Sequence, residues 1–220
     1  MRQSALLRMT KLLCLTLLTQ WLISCTTLPN PAPSTPQIEF SAHQQQLAQA
    51  EHWTLKGKIG FKSKQEVLSA TLLWQQQQDQ FYIRLSGMLG TTLMEMNGRE
   101  GLVELHVDGK DYTDTNAEQL LKRITGWQLP LDQLSLLIKG QVPQTDFDIA
   151  EATQNWPLLV QEKQQNVSTG NPFNKPWKIR YNQFQATPTD SKTLLWLPYD
   201  LKLTKAQNLI KIRVTSWEVH

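Results

Sequence analysis

Cysteine is almost absent from this sequence. The only two, Cys14 and Cys25, fall near the start, so the body of the chain has no disulfide and no thiol nucleophile. The four histidines, His43, His52, His106 and His220, show no metal-ligand spacing. There is no glycine-rich phosphate loop and no nucleophile-elbow sequence. A Ser, His and Asp triad assembled in space is not forbidden by spacing, so an envelope hydrolase stays an alternative. Charge of one sign is lacking as well. The formal net charge is +3, and Arg2, Arg8 and Lys11 precede the first acidic residue, so the chain beyond residue 24 carries 3 − 3 = 0. The basic pI therefore gives no argument for nucleic acid. No apolar run reaches the ~20 residues of a membrane-spanning helix.

What is present begins at the N-terminus. A basic start is followed by Leu12 to Ile23, apolar except for Thr16, Thr19 and Gln20, and then by Ser24 and Cys25. This is the layout of a secretory signal. Leu22-Ile23-Ser24-Cys25 resembles the bacterial lipobox, which implies cleavage before Cys25. Residues 1–24 are then a lipoprotein signal peptide. Cys25 would carry an S-diacylglyceryl group and an N-acyl group, and no other cofactor is expected. An ordinary signal that happens to contain a cysteine is the plainer alternative. Pro29, Pro31, Pro33 and Pro36 mark residues 25–39 as a disordered tether. At ~3.1 Å per residue it would reach about 40 Å. Residues 40–220 remain as one domain, with 8 − 1 = 7 tryptophans beyond residue 24 to supply buried area.

Ser41 and Gln44 suggest a capping box opening a helix that runs to about Glu51. Strand periodicity follows. Trp53, Leu55, Ile59 and Phe61 alternate with Thr54, Lys56, Lys58 and Lys62. Ala70, Leu72 and Trp74 alternate likewise, as do Phe81, Ile83 and Leu85. Further strands are expected near Thr91–Asn97 and Leu102–Val107, with Asp108-Gly109 as a hairpin turn. Brief turns between short strands predict an antiparallel meander. The period then changes. Asn116 is a helix N-cap with Gly126 as terminator, and a second helix runs from Pro130 to Gly140. Each has one apolar face that must cover something. Strands return from Phe147, with runs at Trp156–Glu162, Trp177–Phe184, Leu195–Thr204 and Leu209–Val219. Gln164–Pro176 reads as a polar loop, and Asn166-Val167-Ser168 within it as a fortuitous glycosylation sequon.

The loop Gly87-Met88-Leu89-Gly90 stands apart, because a hairpin tip is normally polar. Either Met88 and Leu89 fold back onto the core, or they form an exposed apolar tip.

These features together resemble the LolB family of outer-membrane lipoproteins. The resemblance rests on the lipobox, His43-Gln44-Gln45-Gln46, Trp74-Gln75-Gln76 and Leu89-Gly90-Thr91-Thr92. It extends through Thr125-Gly126, Leu129-Pro130-Leu131, Leu197-Pro198, Ile210-Lys211-Ile212 and Trp217. Order and spacing carry it, not any single motif. The family usually has Pro where this chain has Met88, and the Gln164–Pro176 loop is longer than usual.

The resemblance implies a mainly β, α+β fold: an incomplete antiparallel β-barrel with a helical lid over a hydrophobic cavity, as in LolA and LolB. It implies a monomeric, non-enzymatic receptor and chaperone, lipid-anchored to the outer membrane and facing the periplasm. Such a protein accepts triacylated lipoprotein cargo from the periplasmic carrier LolA and inserts it into the inner leaflet of the outer membrane. Thr26, following Cys25, fits outer-membrane placement. Met88 and Leu89 would form the membrane-insertion loop. Trp74, Ile83, Leu85, Met94, Ile179 and Ile212 would line the acyl cavity, under helices at about Asn116–Thr125 and Leu131–Lys139. A fully packed core without a pocket is the plain alternative, and a non-transferring lipid-binding lipoprotein is the functional one.

Overall fold

In the computed structural model the described residues are 39–64, 66–99, 101–153, 155–164 and 175–220. The signal sequence, Cys25, all but the last residue of the tether, and the Asn166 sequon lie outside them.

Eleven strands form one antiparallel sheet. They are β1 (His52–Lys62), β2 (Val67–Gln77), β3 (Gln80–Ser86), β4 (Thr92–Arg99), β5 (Leu102–Val107), β6 (Lys110–Asp114), β7 (Phe147–Ala152), β8 (Pro157–Glu162), β9 (Lys178–Pro188), β10 (Leu194–Lys205) and β11 (Asn208–Val219). The spatial order is β6-β5-β4-β3-β2-β1-β11-β10-β9-β8-β7. Each half is a meander, and the chain's first and last strands meet in the middle. The sheet does not close, because β6 and β7 are both edges. Between them in sequence lie α2 (Ala117–Thr125) and α3 (Leu131–Leu137), so the connection from one edge to the other has to cross a sheet face. The apolar face is the one that gains from being crossed. A third helix, α1 (Phe40–Gln49), packs on β10.

Alternation decides which face is covered. Along β1 the buried side chains include Trp53, Leu55 and Phe61, while Lys56, Lys58 and Lys62 are exposed. Thr54 alternates onto the polar face as expected but is itself buried there. The same period continues through Leu72 and Trp74, Ile83 and Leu85, Met94 and Met96, and Ile210 and Ile212. Trp53, Trp74 and Trp217 form a cluster with ring centroids 5.3–5.6 Å from Trp53, at the end of the sheet away from the Gly87–Thr91 loop.

Bulges bend this sheet. Lys56 pairs with Ser216 and Gly57 with Val214, leaving Thr215 as the extra residue. Gly57 is required there, because a Cβ would sit 2.5 Å from the Arg213 carbonyl oxygen. A second bulge leaves Leu93 unpaired between β3 and β4. The Asp108-Gly109 turn has φ of 53° and 71°, both positive, as a type I′ hairpin needs.

The capping box at Ser41 is not formed. The helix starts two residues earlier, Glu39 is its N-cap, and no side chain caps it. Gln44 is taken instead by tertiary partners. Its Nε2 donates to the Gly140 carbonyl at 2.9 Å and its Oε1 accepts from the Val142 N–H at 2.9 Å. The helix also ends at Gln49 rather than Glu51. The second lid helix closes at Leu137, two residues short of the expected Lys139. Trp156, expected to open a strand, lies just before β8, stacked against Trp196 and Phe184 at 5.0 and 5.2 Å.

Candidate functional site

The lid begins with α2. Asn116 caps it, its Oδ1 accepting from the Gln119 N–H at 2.8 Å, and Gly126 ends it with φ 76°. Ala117, Leu120 and Leu121 are buried from α2, and Leu131, Leu134 and Leu137 from α3. These side chains lie over the apolar sheet face. Trp74, Ile83, Leu85, Met94, Ile179 and Ile212 are all on that face and all buried, none more than 6 % exposed. They share one continuous core with the lid leucines.

The two ends of the lid are held differently. At the α3 end the fastening is polar and buried. Lys139, 4 % exposed, donates from Nζ to the carbonyls of Leu47 and Ala50 at 2.9 and 2.7 Å. Those carbonyls close the C-terminus of α1, the negative end of its dipole. Burial lowers the Lys139 pKa to about 8, and nearby Glu51 opposes the shift. Tyr181 donates its hydroxyl to the Leu137 carbonyl at 2.6 Å, and burial pushes its pKa up. The two Gln44 bonds join the same region.

At the other end one side-chain hydrogen bond joins the lid to the sheet, and the tryptophan that makes it is buried. Trp127, in the α2–α3 connection, donates from Nε1 to Glu66 at 3.1 Å and lies on Phe61 at 4.9 Å between ring centroids. Glu118 accepts weakly from the Asp132 N–H at 3.4 Å, and burial raises its pKa.

The Gly87–Gly90 segment is a tight turn. The Gly90 N–H donates to the Gly87 carbonyl at 3.0 Å and the Gly87 N–H to the Thr91 carbonyl at 2.8 Å. Met88 and Leu89 occupy its central positions, neither with positive φ, which makes it type I. Proline suits the first central position of that turn, so Met88 sits where the family's proline fits without changing the turn. Both side chains are fully in solvent, Met88 at 101 % and Leu89 at 94 % of their reference exposure. They do not fold back onto the core.

Sheet register places this tip relative to the lid. Ser86 is level with Thr71, Thr71 with Lys58, and Lys58 with Arg213. Phe61 and the β1–β2 hairpin lie beyond that row, on the side toward which the tip projects. The Trp127 end of the lid and the apolar tip therefore share one end of the sheet.

His43 has no counterpart among the sequence-derived site residues. It is fully buried, its Nε2–H donating to the Trp196 carbonyl at 2.7 Å. Its ring meets Trp156 and Phe184 edge-on. Desolvation holds its pKa below the ordinary value, so it is a neutral packing residue. The spacing of His43, Leu47 and Ala50 on one helical face was the available signal. Among the described residues no group of His, Cys, Asp or Glu is placed to hold a metal ion, and no helix is long and apolar enough to cross a membrane.

The family model described as outer membrane lipoprotein LolB matches residues 51–217. The outer-membrane lipoprotein LolB of Shewanella baltica strain OS155 is 34 % identical over 214 residues, covering 96 % of this chain and 92 % of the relative. That of Shewanella oneidensis is 33 % identical over 195 residues, covering 88 % and 82 %. Among solved structures, a putative outer membrane lipoprotein-sorting protein domain from Vibrio parahaemolyticus superposes with a TM-score of 0.48 at 8 % identity, over 81 % of this chain and 91 % of that one.

Proposed function

Since the chain belongs to the LolB family, we propose that it accepts lipoproteins from the periplasmic carrier LolA and inserts them into the inner leaflet of the outer membrane. It acts by binding and hand-over, without catalysis. The observation that carries this reading is the shared position of the Trp127 end of the lid and the exposed Met88–Leu89 tip.

Residues 1–24 are removed, Cys25 is acylated, and residues 25–39 tether the domain of residues 40–220 to the membrane. Replacement of Cys25 by Ala gives a precursor that is not processed as a lipoprotein. Acylated, membrane-bound protein from that variant would refute the assignment.

Exposing an acyl chain to water costs ~0.8 kcal/mol per methylene, so triacylated cargo cannot cross free. The apolar face beneath α2 and α3 supplies a dry alternative. The lid swings about its Lys139 end, and Trp127 leaves Phe61 and Glu66. The mouth so formed opens beside the tip.

The tip does not serve as the anchor. Burying one Leu gains roughly 1.5–3 kcal/mol. A single acyl chain of ~14 methylenes gains several times that, and Cys25 carries more than one chain. Leu89 instead disturbs the leaflet where cargo enters. The test measures transfer from carrier to protein, and then from protein to liposomes. Leu89→Glu leaves the first step intact and impairs the second. Normal rates in both steps would remove the tip from the mechanism. A non-transferring lipid-binding protein would fail the second step in the native form as well.

A further inference from the structure

The pairing of β1 with β11 brings together charges that lie far apart in sequence. Lys58 and Lys62 of β1, Lys178 of β9, Lys202 of β10 and Lys211 of β11 all point from the outer face and are exposed. Adjacent strands lie about 4.8 Å apart, so these ammonium groups crowd onto one surface. Lys211 pairs directly with Lys202, and Lys202 with Arg180.

None of the five lysines has a carboxylate partner among the described residues, whereas neighbouring cations do. Lys56 is bonded to Glu218, Arg180 to Glu151, Lys205 to Glu162, and Arg213 lies 3.6 Å from Asp200. The undescribed stretch 165–174 contains no acidic residue. The outer face of the other half of the sheet is mixed, carrying Arg84 and Arg99 beside Glu95, Glu104 and Asp111. The cluster of lysines thus lies on β1 and β9–β11. It begins at the Lys58 row, level with Ser86, and extends toward the same end as the Met88–Leu89 tip. Val67, 76 % exposed and paired with Lys62, adds a third apolar side chain at that end.

We propose that this lysine surface docks on anionic phospholipid headgroups and thereby sets the orientation in which the tip meets the leaflet. The inference rests on the membrane role of Leu89 above. Uncompensated like charges side by side on a sheet are unfavourable unless an anionic surface meets them. An acidic protein would supply charge, but it gives the neighbouring Met88, Leu89 and Val67 nothing apolar to enter. A leaflet supplies both. Anchoring through one residue does not by itself set the orientation of the domain, and a charged face does.

The experiment uses the full lipidated protein in proteoliposomes. With Cys25 acylated, Leu89→Cys provides a single thiol for an environment-sensitive nitrobenzoxadiazole label. Vesicles are phosphatidylethanolamine with phosphatidylcholine, with or without one-fifth phosphatidylglycerol. Label burial is expected to rise when phosphatidylglycerol is present and to fall as salt screens the headgroups. Replacing Lys62, Lys202 and Lys211 by Gln is expected to lower the insertion equilibrium roughly fivefold per lysine in anionic vesicles, and little in neutral ones. These side chains are exposed, so the fold is unaffected.

Equal label burial in neutral and anionic vesicles, with or without the lysines, overturns the headgroup surface while leaving the tip reading intact. A label that enters no vesicle overturns both. If the lysine replacements leave label burial unchanged and slow cargo uptake from the carrier instead, the surface belongs to a protein partner and the inference is wrong.

Discussion

Replacing Lys139 by Met tests how the fixed end of the lid is held. In the folded chain this amine titrates near about 8, against 10.5 for an ordinary lysine, because burial opposes its charge. Between those two values the unfolded chain binds more protons than the folded one. Stability attributable to Lys139 therefore rises with pH across that window and is lowest below it. A shift of this size corresponds to about 3 kcal/mol. Replacement by Met relieves that cost, but it removes two hydrogen bonds from a charged donor, at about 1.5–3 kcal/mol each. It also leaves the Ala50 carbonyl buried beside a thioether. The balance at pH 7 is a net loss of about 1–3 kcal/mol. The native protein gains stability above pH 8 and the variant has no such gain, so the gap between them widens by about 3 kcal/mol by pH 10.5. Urea unfolding of both proteins at intervals from pH 7 to 10.5 reads this directly. Taking the difference cancels other alkaline groups, Tyr181 among them. A gap that stays flat over the window would refute the assignment of the shift to Lys139.

Gly98→Ala should destabilise by about 1–3 kcal/mol, because its Cβ would fall 2.1 Å from the Phe81 ring across the β3–β4 pair; equilibrium unfolding measures it. Asn116→Ala should cost about 1 kcal/mol through loss of the α2 cap, with amide exchange accelerated in α2 and little changed in β9–β11. Glu66→Ala, which frees Trp127 Nε1 at its end of the lid, should speed uptake of a fluorescent fatty-acid probe while costing no more than about 1 kcal/mol of stability.

How much of this was legible in sequence follows how local each feature is. Asn116 with Gly126, and Asp108 with Gly109, are short-range signals, and the structure uses both as read. The six interior residues agree with strand period, since a one-residue slip would turn each to the outside, but period alone did not say which face of each strand turns inward. Whether Met88 and Leu89 were core or tip was not legible, since an apolar pair between glycines suits either; the turn hydrogen bonds settle their exposure. The cap of α1 was misread because Gln44 is bonded to residues about 100 positions away rather than to its own helix end. Lys139 followed an apolar helix in a place where a surface lysine would look the same. The lysine surface was visible only in part. Lys56, Lys58 and Lys62 share a face in sequence, but their neighbours come from β11, and no local pattern joins the first strand to the last.

The central claim is that acyl chains of the cargo lie on the sheet face beneath α2 and α3. Met94 and Glu95 are consecutive on β4 and face opposite sides, Met94 into the core and Glu95 outward, where it accepts a hydrogen bond from Tyr82. A benzophenone amino acid placed at one position or the other, followed by loading with triacylated lipoprotein from the carrier and irradiation, compares the two sides of one strand. The account predicts a cross-link to the acyl chains from position 94 and none from position 95. Loaded protein that cross-links from 95, or that holds its cargo while position 94 stays silent, would contradict it.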